Sequence, residues 1–97
     1  MSGLQNSAMR SATSLAIDDV LDTGDLRCPL PVLKAAARLK TMTPGQCLRV
    51  VCRDSAAIID FEVFCHHTPH ELRQSYEQED GVYVIDINCG AKVRDPA

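Results

Sequence analysis

The 97-residue sequence has few aromatic side chains, an acidic charge balance and no long hydrophobic run. Two Tyr, two Phe and no Trp offer little surface for stacking on nucleic-acid bases. A formal net charge of -3 disfavours general binding to nucleic acids or to anionic membranes. No apolar stretch suits a signal core or a membrane span. We therefore expect no direct contact with nucleic acid and none with a membrane.

Cysteine usage indicates a reducing environment. The chain has five cysteines, but their odd number and the lack of a secretion signal argue against a disulfide framework. We predict a cytoplasmic protein. Residues 1–17 are rich in Ser, Asn, Gln and Ala and predict a flexible N-terminal tail. Residues 18–91 are expected to form a single domain, followed by a short C-terminal tail over residues 92–97.

The hydrophobic pattern predicts the element order β-α-β-α-β-β. Strands are expected over residues 20–26, 47–53, 70–79 and 82–88, and Leu72 and Tyr76 are expected on one side of the third strand. The first helix is expected to end before Thr43, and the second to begin at Asp54 or Ser55. Right-handed crossovers place both helices on one face. The predicted fold is a two-layer α/β sandwich of the α+β type, with a four-stranded mixed sheet.

The motif Cys28-Pro29-Leu30-Pro31 places one cysteine where the first strand leads into the first helix. Proline suits the first position of a helix, where a backbone N–H is not needed, so Pro29 makes Cys28 the expected N-cap. The helix dipole and the N–H groups of Leu30 and Val32 are then expected to lower the pKa of the thiol. A thiolate is the nucleophilic form of cysteine. The motif therefore predicts a reactive cysteine, and the alternative is a buried cysteine that precedes a proline by chance.

The spacing indicates a carrier of a single group. The position at which a Cys-x-x-Cys oxidoreductase has its second cysteine is occupied by Pro31. A lone thiolate can accept a sulfur atom as a persulfide, or an acyl group, and pass it on. Arg27 adds positive charge if its side chain turns toward the sulfur. We predict Cys28 as the catalytic residue, supported by Arg27, Pro29 and Pro31, with no cofactor and no metal.

Further residues along the chain, together with this motif, match the sequence pattern of one protein family. They are Leu21-Asp22, Leu26-Arg27, Pro44-Gly45, Asp54, Asp60, Phe64-Cys65, His70-Glu71-Leu72 and Gly81-Val82-Tyr83. Over about residues 20 to 90 the sequence resembles the TusA/SirA family of small sulfur-carrier proteins. The resemblance implies the same sandwich and a persulfide on Cys28. It also implies loading by a cysteine desulfurase or a rhodanese-like protein, and delivery to tRNA thiolation, molybdenum-cofactor synthesis or sulfur oxidation.

Histidines and cysteines in the second half of the chain allow a metal interpretation. Cys65, His66, His67 and His70 are possible zinc ligands at short spacing. Adjacent histidines on a helix point about 100° apart, however, and no second ligand pair stands elsewhere in a matching arrangement. Histidines at a helix C-terminus also complement the negative end of the helix dipole. Cys65 and Cys52 both fall at positions expected to face the core, and we predict no metal site.

Four questions about partners, redox chemistry and the remaining side chains stay open. A regulatory or RNA-associated module could use the open sheet face, and a single-thiol redox sensor could pair Cys28 with Cys65 or Cys89. The sequence assigns no role to Cys47, Cys52 or Cys89. The basic side chains near the thiol are either solvated surface or a docking site for an acidic donor protein; they are Arg27, Lys34, Arg38 and Lys40.

Overall fold

The computed structural model describes residues 16–91 as four strands and two helices. Their order confirms the predicted β-α-β-α-β-β arrangement. Most of the predicted N-terminal tail (residues 1–15) and the predicted C-terminal tail (residues 92–97) lie outside the described residues. The elements are β1 (Asp19–Asp22), α1 (Leu30–Lys40), β2 (Cys47–Cys52), α2 (Ala56–His66), β3 (Glu71–Glu79) and β4 (Val82–Asn88).

The sheet has the strand order β1-β2-β4-β3. β1 and β2 are parallel, as expected for strands joined by a helical crossover, and β4 runs antiparallel between β2 and β3. Both helices pack on one face, because side chains from each join the same core as the sheet. The predicted two-layer sandwich with a mixed sheet is therefore confirmed. The core is formed by Ala35, Leu39, Leu48, Val50, Ala57, Phe61, Ile85 and Ile87.

β1 is shorter than predicted and ends at Asp22. The Asp22 side chain accepts a hydrogen bond from the backbone N–H of Gly24 at 2.8 Å, and Gly24 has a positive φ of 60°. An aspartate that caps its own turn in this way breaks the extended conformation. Thr23 adds a second anchor, because its hydroxyl donates to the carbonyl of Val51 at 3.1 Å. The chain from residue 23 to residue 29 is therefore a loop that leads to α1.

The predicted placement of Leu72 and Tyr76 on one side of β3 is wrong. The pairing of β3 with β4 shifts register between Leu72 and Gln74, which is a β-bulge. Leu72 pairs with Ile87 and packs against the core, whereas Tyr76 pairs with Val84 on the opposite face and is 40% exposed. The extra residue of the bulge reverses the alternation, because successive side chains of a strand point to opposite faces.

The sheet face opposite the helices carries a buried ion pair. Asp86 is fully buried and accepts two hydrogen bonds from the guanidinium of Arg49, both at 2.9 Å. Gln74 donates a third at 2.8 Å. Burial alone would raise the pKa of Asp86, but the hydrogen bonds from Arg49 and Gln74 outweigh it and hold that pKa below its usual value. The carboxylate is therefore charged at neutral pH and fixes β2, β3 and β4 to one another.

Candidate functional site

Cys28 lies in the loop between β1 and α1, and its exposure sets it apart from the other cysteines. All five cysteines are free; Cys28 is exposed, Cys65 is half-buried, and Cys47, Cys52 and Cys89 are buried. Burial in apolar surroundings makes a thiol inert. Burial also raises the pKa of Cys65 to about 11. The thiol that is open to another molecule is therefore the one in the Cys-Pro-x-Pro motif.

The start of α1 differs from the prediction. The helix begins at Leu30 and its N-cap is Pro29, so Cys28 precedes the N-cap, and the Cys28–Pro29 peptide bond is cis. The backbone N–H of Leu30 donates to the carbonyl of Arg27 at 2.8 Å rather than to the sulfur. Pro31 is buried in the first helical turn. The predicted role of Cys28 as N-cap is wrong, because the chain turns one residue later than the proline pattern indicates.

The Cys28 thiol contacts the carboxylate of Asp60 on α2. The thiol donates a hydrogen bond to Oδ2 of Asp60. This hydrogen bond raises the pKa of Cys28 above its ordinary value, with smaller contributions from lost solvation and from the charges of Asp60 and Asp54. A carboxylate acts in this direction because it accepts a hydrogen bond from the protonated thiol and repels the thiolate. The predicted lowering of the Cys28 pKa is therefore wrong.

Asp54 joins the cysteine loop to the start of α2. Its Oδ2 accepts the backbone N–H of Cys28 at 2.9 Å, and its Oδ1 accepts the N–H of Ala56 at 3.1 Å. These two hydrogen bonds, the Cys28 bond foremost, hold the pKa of Asp54 below its usual value. The N-cap of α2 is Ser55, whose side chain makes no capping bond. Asp54 thus fixes the backbone of the cysteine as well as the first turn of the helix.

The basic side chains predicted around the thiol are not among the groups that shift its pKa. Arg38 forms an ion pair with Asp19 at 2.7 Å. Arg27 is exposed, and its charge helps to lower the pKa of Asp54. The charged groups that act on the thiol are the acids Asp60 and Asp54. The immediate surroundings of Cys28 are therefore acidic, in contrast to the basic surface expected from the sequence.

Asp60 is the site residue that the sequence analysis did not assign. The sequence pointed to Asp60 only as one of the residues that resemble the family pattern. A signal was available in the composition of α2, since Asp60 is the single acid in the otherwise apolar run Ala56–Phe61. The carboxylate of an acid in such a run is either exposed to solvent or bound to a specific partner. The partner here is Cys28, which stands 32 positions earlier in the chain.

An apolar groove of about 360 Å³ opens beside the thiol. Each helix also carries an exposed apolar pair at helical spacing, Leu30 and Leu33 on α1 and Ile59 and Val63 on α2, and Val63 lines the groove. Exposed apolar clusters of this kind mark surfaces that another molecule covers. We name this surface the apolar rim and define it by Leu30, Leu33, Ile59 and Val63. The groove itself is lined by Pro29, Val32, Asp60, Val63, Phe64, His67 and Thr68.

The histidines make contacts within the fold. The rings of His66 and His67 pack edge to face at 5.0 Å. His70 stacks on Phe64 at 5.7 Å, and its Nδ1 accepts the backbone N–H of Gly90 at 2.9 Å. Across residues 16–91, no three His, Cys, Asp or Glu side chains converge in a group that could hold a metal ion. Neither helix of this part of the chain is long and apolar enough to cross a bilayer.

A pairing of Cys28 with Cys89 would require the core to open. The Cys89 side chain is 3% exposed, and its thiol lies within hydrogen-bonding distance of the carbonyls of Leu39 and Met42 at 3.6 and 3.7 Å. Disulfide formation needs one sulfur to reach the other. The structure therefore offers no support for a redox sensor built on these two cysteines.

This chain is similar in sequence to sulfur-carrier proteins and in fold to a SirA-like protein. Residues 19–88 match the family model described as Sulfurtransferase TusA. A Neisseria meningitidis protein provisionally named a sulfur carrier protein is 43% identical over 69 residues, which cover 71% of this chain and 92% of the relative. The sulfur carrier protein TusA of Allochromatium vinosum is 41% identical over 61 residues, which cover 63% of this chain and 80% of the relative. A crystal structure of a SirA-like protein from Desulfitobacterium hafniense has the same fold, with a TM-score of 0.67 and 17% identity over 76% of this chain and 100% of that one.

Proposed function

This chain belongs to the TusA family of sulfur carriers, and from that premise we propose that Cys28 is the residue that carries the sulfur, as a persulfide. Exposure is the observation that supports this assignment most directly, since the other four thiols are buried or half-buried. A carrier thiol must be reachable by a donor and then by an acceptor. Cys28 meets that requirement and lies in the Cys-Pro-x-Pro motif.

The loading step is a thiol exchange reaction. The Cys28 thiolate attacks the outer sulfur of a donor persulfide, a bond forms between the two sulfurs, and the sulfur–sulfur bond of the donor breaks. The donor cysteine leaves as a thiolate and takes the proton that Cys28 gave up. Unloading repeats these events, because an acceptor thiolate attacks the outer sulfur and Cys28 becomes the leaving group. No net oxidation or reduction occurs, so the relay uses no cofactor.

The surroundings of the thiol support partners that are proteins. The apolar rim adds four exposed apolar side chains, and a small sulfur compound would leave most of them exposed to water. A protein that docks there brings its own sulfur close to Cys28 and supplies the proximity that the transfer needs. The donor is a cysteine desulfurase or a rhodanese-like protein. The acceptor belongs to tRNA thiolation, molybdenum-cofactor synthesis or sulfur oxidation, and the chain acts as a sulfurtransferase in the cytoplasm.

Intact-protein mass spectrometry tests this proposal. The protein is incubated with a cysteine desulfurase and cysteine, and in separate samples with thiosulfate or polysulfide. We expect a gain of about 32 Da, the mass of one sulfur atom, that a reducing thiol reverses. Cys28→Ser should abolish the gain, and the matched control Cys65→Ser should retain it because that thiol is half-buried. Equal loading of Cys28→Ser, or no loading from any donor, contradicts the proposal.

A further inference from the structure

The groups around Cys28 oppose the ionisation that sulfur transfer requires. A thiolate is the attacking species in thiol exchange, yet the protonated thiol is stabilised by its hydrogen bond to Asp60, and the charge of Asp54 also disfavours a thiolate. Across residues 16–91, no Lys, Arg or His side chain forms an ion pair with Asp60 or Asp54. The exposed nucleophile of the free protein therefore stands beside two acids that the described residues leave without an ion-pair partner.

Each element near the thiol contributes to this charge pattern. Asp60 comes from α2 and Asp54 from the loop before it, and both act directly on the sulfur. The cysteine loop contributes Arg27, which is exposed and acts on Asp54. His67 lines the groove at the end of α2. The described chain therefore places no cation in contact with the thiol or with the Asp60 carboxylate.

We propose that Asp60 keeps the free carrier unreactive by holding the proton on Cys28, and that a guanidinium or ammonium group of the sulfur-transfer partner releases this restraint by pairing with Asp60. The inference rests on the proposed function, in which Cys28 carries the sulfur. It assigns a chemical property to the partner: a basic side chain close to the sulfur that the partner donates or accepts.

The partner cation shifts the equilibrium of Cys28 from thiol toward thiolate in two ways. A carboxylate that is paired with a cation accepts a weaker hydrogen bond from the protonated thiol, and the same cation attracts the thiolate. The proton leaves Cys28 as the new sulfur–sulfur bond forms and ends on the donor thiolate that departs. Free carrier molecules keep a low thiolate fraction, which protects the exposed sulfur from oxidants and from unrelated disulfides.

The restraint by Asp60 is testable without any sulfur donor. Alkylation of Cys28 by iodoacetamide is followed as a function of pH in the wild type, in Asp60→Asn and in Glu62→Gln, with Cys28→Ser as the blank. Glu62 is an exposed acid on the same helix and is the matched control. We expect the pH profile of Asp60→Asn to move to lower pH, with a rate at neutral pH that rises about tenfold for each unit of the move. Glu62→Gln should follow the wild type.

A second substitution guards against a folding defect. Asp60→Ala removes the same charge and the same acceptor, so its profile should move in the same direction while the circular dichroism spectrum stays that of the wild type. A profile that stays in place or moves to higher pH in both variants overturns the proposed restraint. A purely structural role of Asp60 would lower the unfolding midpoint without moving the alkylation profile.

The preference for a cationic partner is tested with charged disulfides. Cystamine carries two ammonium groups, and hydroxyethyl disulfide is a neutral probe of similar size. We expect the ratio of their rates with Cys28 to fall about fivefold in Asp60→Asn, the effect of one exposed charge pair, and to fall in the wild type when salt is added. An equal ratio in wild type and variant overturns the partner assignment. Neither assay forms a persulfide, so a failure of sulfur loading is distinguishable from a failure of this inference.

Discussion

Removing the guanidinium of Arg49 should destabilise the fold by about 3 kcal/mol. Asp86 is fully buried and its carboxylate accepts both hydrogen bonds of the guanidinium at 2.9 Å, so Arg49→Met leaves a buried charge with Gln74 as its remaining hydrogen-bond donor. Breaking a buried pair in this way costs about 3 to 5 kcal/mol. The lower end of that range applies because the Arg49 side chain is 31% exposed.

The assay is urea denaturation followed by circular dichroism at pH 7, with two comparison variants. Arg53→Met breaks a pair with Asp22 whose side chains are 39% and 58% exposed, and we expect a loss below about 1 kcal/mol. The double variant Arg49→Met/Asp86→Leu removes both charges and should recover most of the lost free energy of unfolding. The reasoning is refuted if Arg49→Met costs no more than Arg53→Met, or if the double variant is less stable than the single one.

The same pair predicts the direction of the pH dependence. The pKa of Asp86 is lower in the folded protein than in the unfolded chain. A lowered carboxyl pKa contributes stability that is complete above the unfolded value of about 4 and is lost as pH falls through the folded value. The stability difference between the wild type and Arg49→Met should therefore be largest near neutral pH and shrink below pH ~4. A difference that grows in acid contradicts the assignment.

Three further results are expected elsewhere in the molecule. A Cβ at position 90 would lie 2.1 Å from the carbonyl oxygen of Pro69, so Gly90→Ala should cost about 1 to 3 kcal/mol in thermal unfolding. Asp54→Asn keeps an acceptor for the Cys28 backbone N–H and removes a charge that disfavours the thiolate, so the alkylation profile of Cys28 should move to lower pH by less than in Asp60→Asn. Cys65, with a pKa of about 11, should resist iodoacetamide at pH 8 in the Cys28→Ser background and react after unfolding in urea.

The fold could be predicted where sequence patterns are local. The alternation in β2 and β4 and the helical spacing of residues such as Leu39 and Phe61 depend on each element alone, and crossover handedness then fixes the layers. The bulge in β3 could not be predicted in this way, because it depends on pairing with β4. The burial of Asp86 could not either, since Arg49 lies 37 positions away in the chain.

The same distinction separates what could and could not be predicted about the site. The motif identifies Cys28 from a few consecutive residues, but the chemistry of its sulfur depends on Asp60, which belongs to another element. The helix dipole and the neighbouring N–H groups are local features, and both favour a thiolate. In the structure Cys28 lies before the N-cap and its thiol donates a hydrogen bond to a carboxylate, so a contact between elements reverses the expected pKa shift.

That reversal changes where the selectivity of a sulfur carrier originates. A thiol activated by its own helix is reactive toward every accessible electrophile, in the presence or absence of a partner. A thiol restrained by Asp60 becomes reactive when a partner brings a positive charge to the carboxylate, so sulfur transfer is tied to docking. Sulfur transfer then depends on both the acidic surroundings of Cys28 and the basic side chain of the partner. An exposed cysteine can therefore persist in the free carrier without reacting with unrelated electrophiles. An Asp60→Asn carrier should accordingly accept sulfur from polysulfide faster than the wild type, whereas its advantage should shrink or disappear with a protein donor.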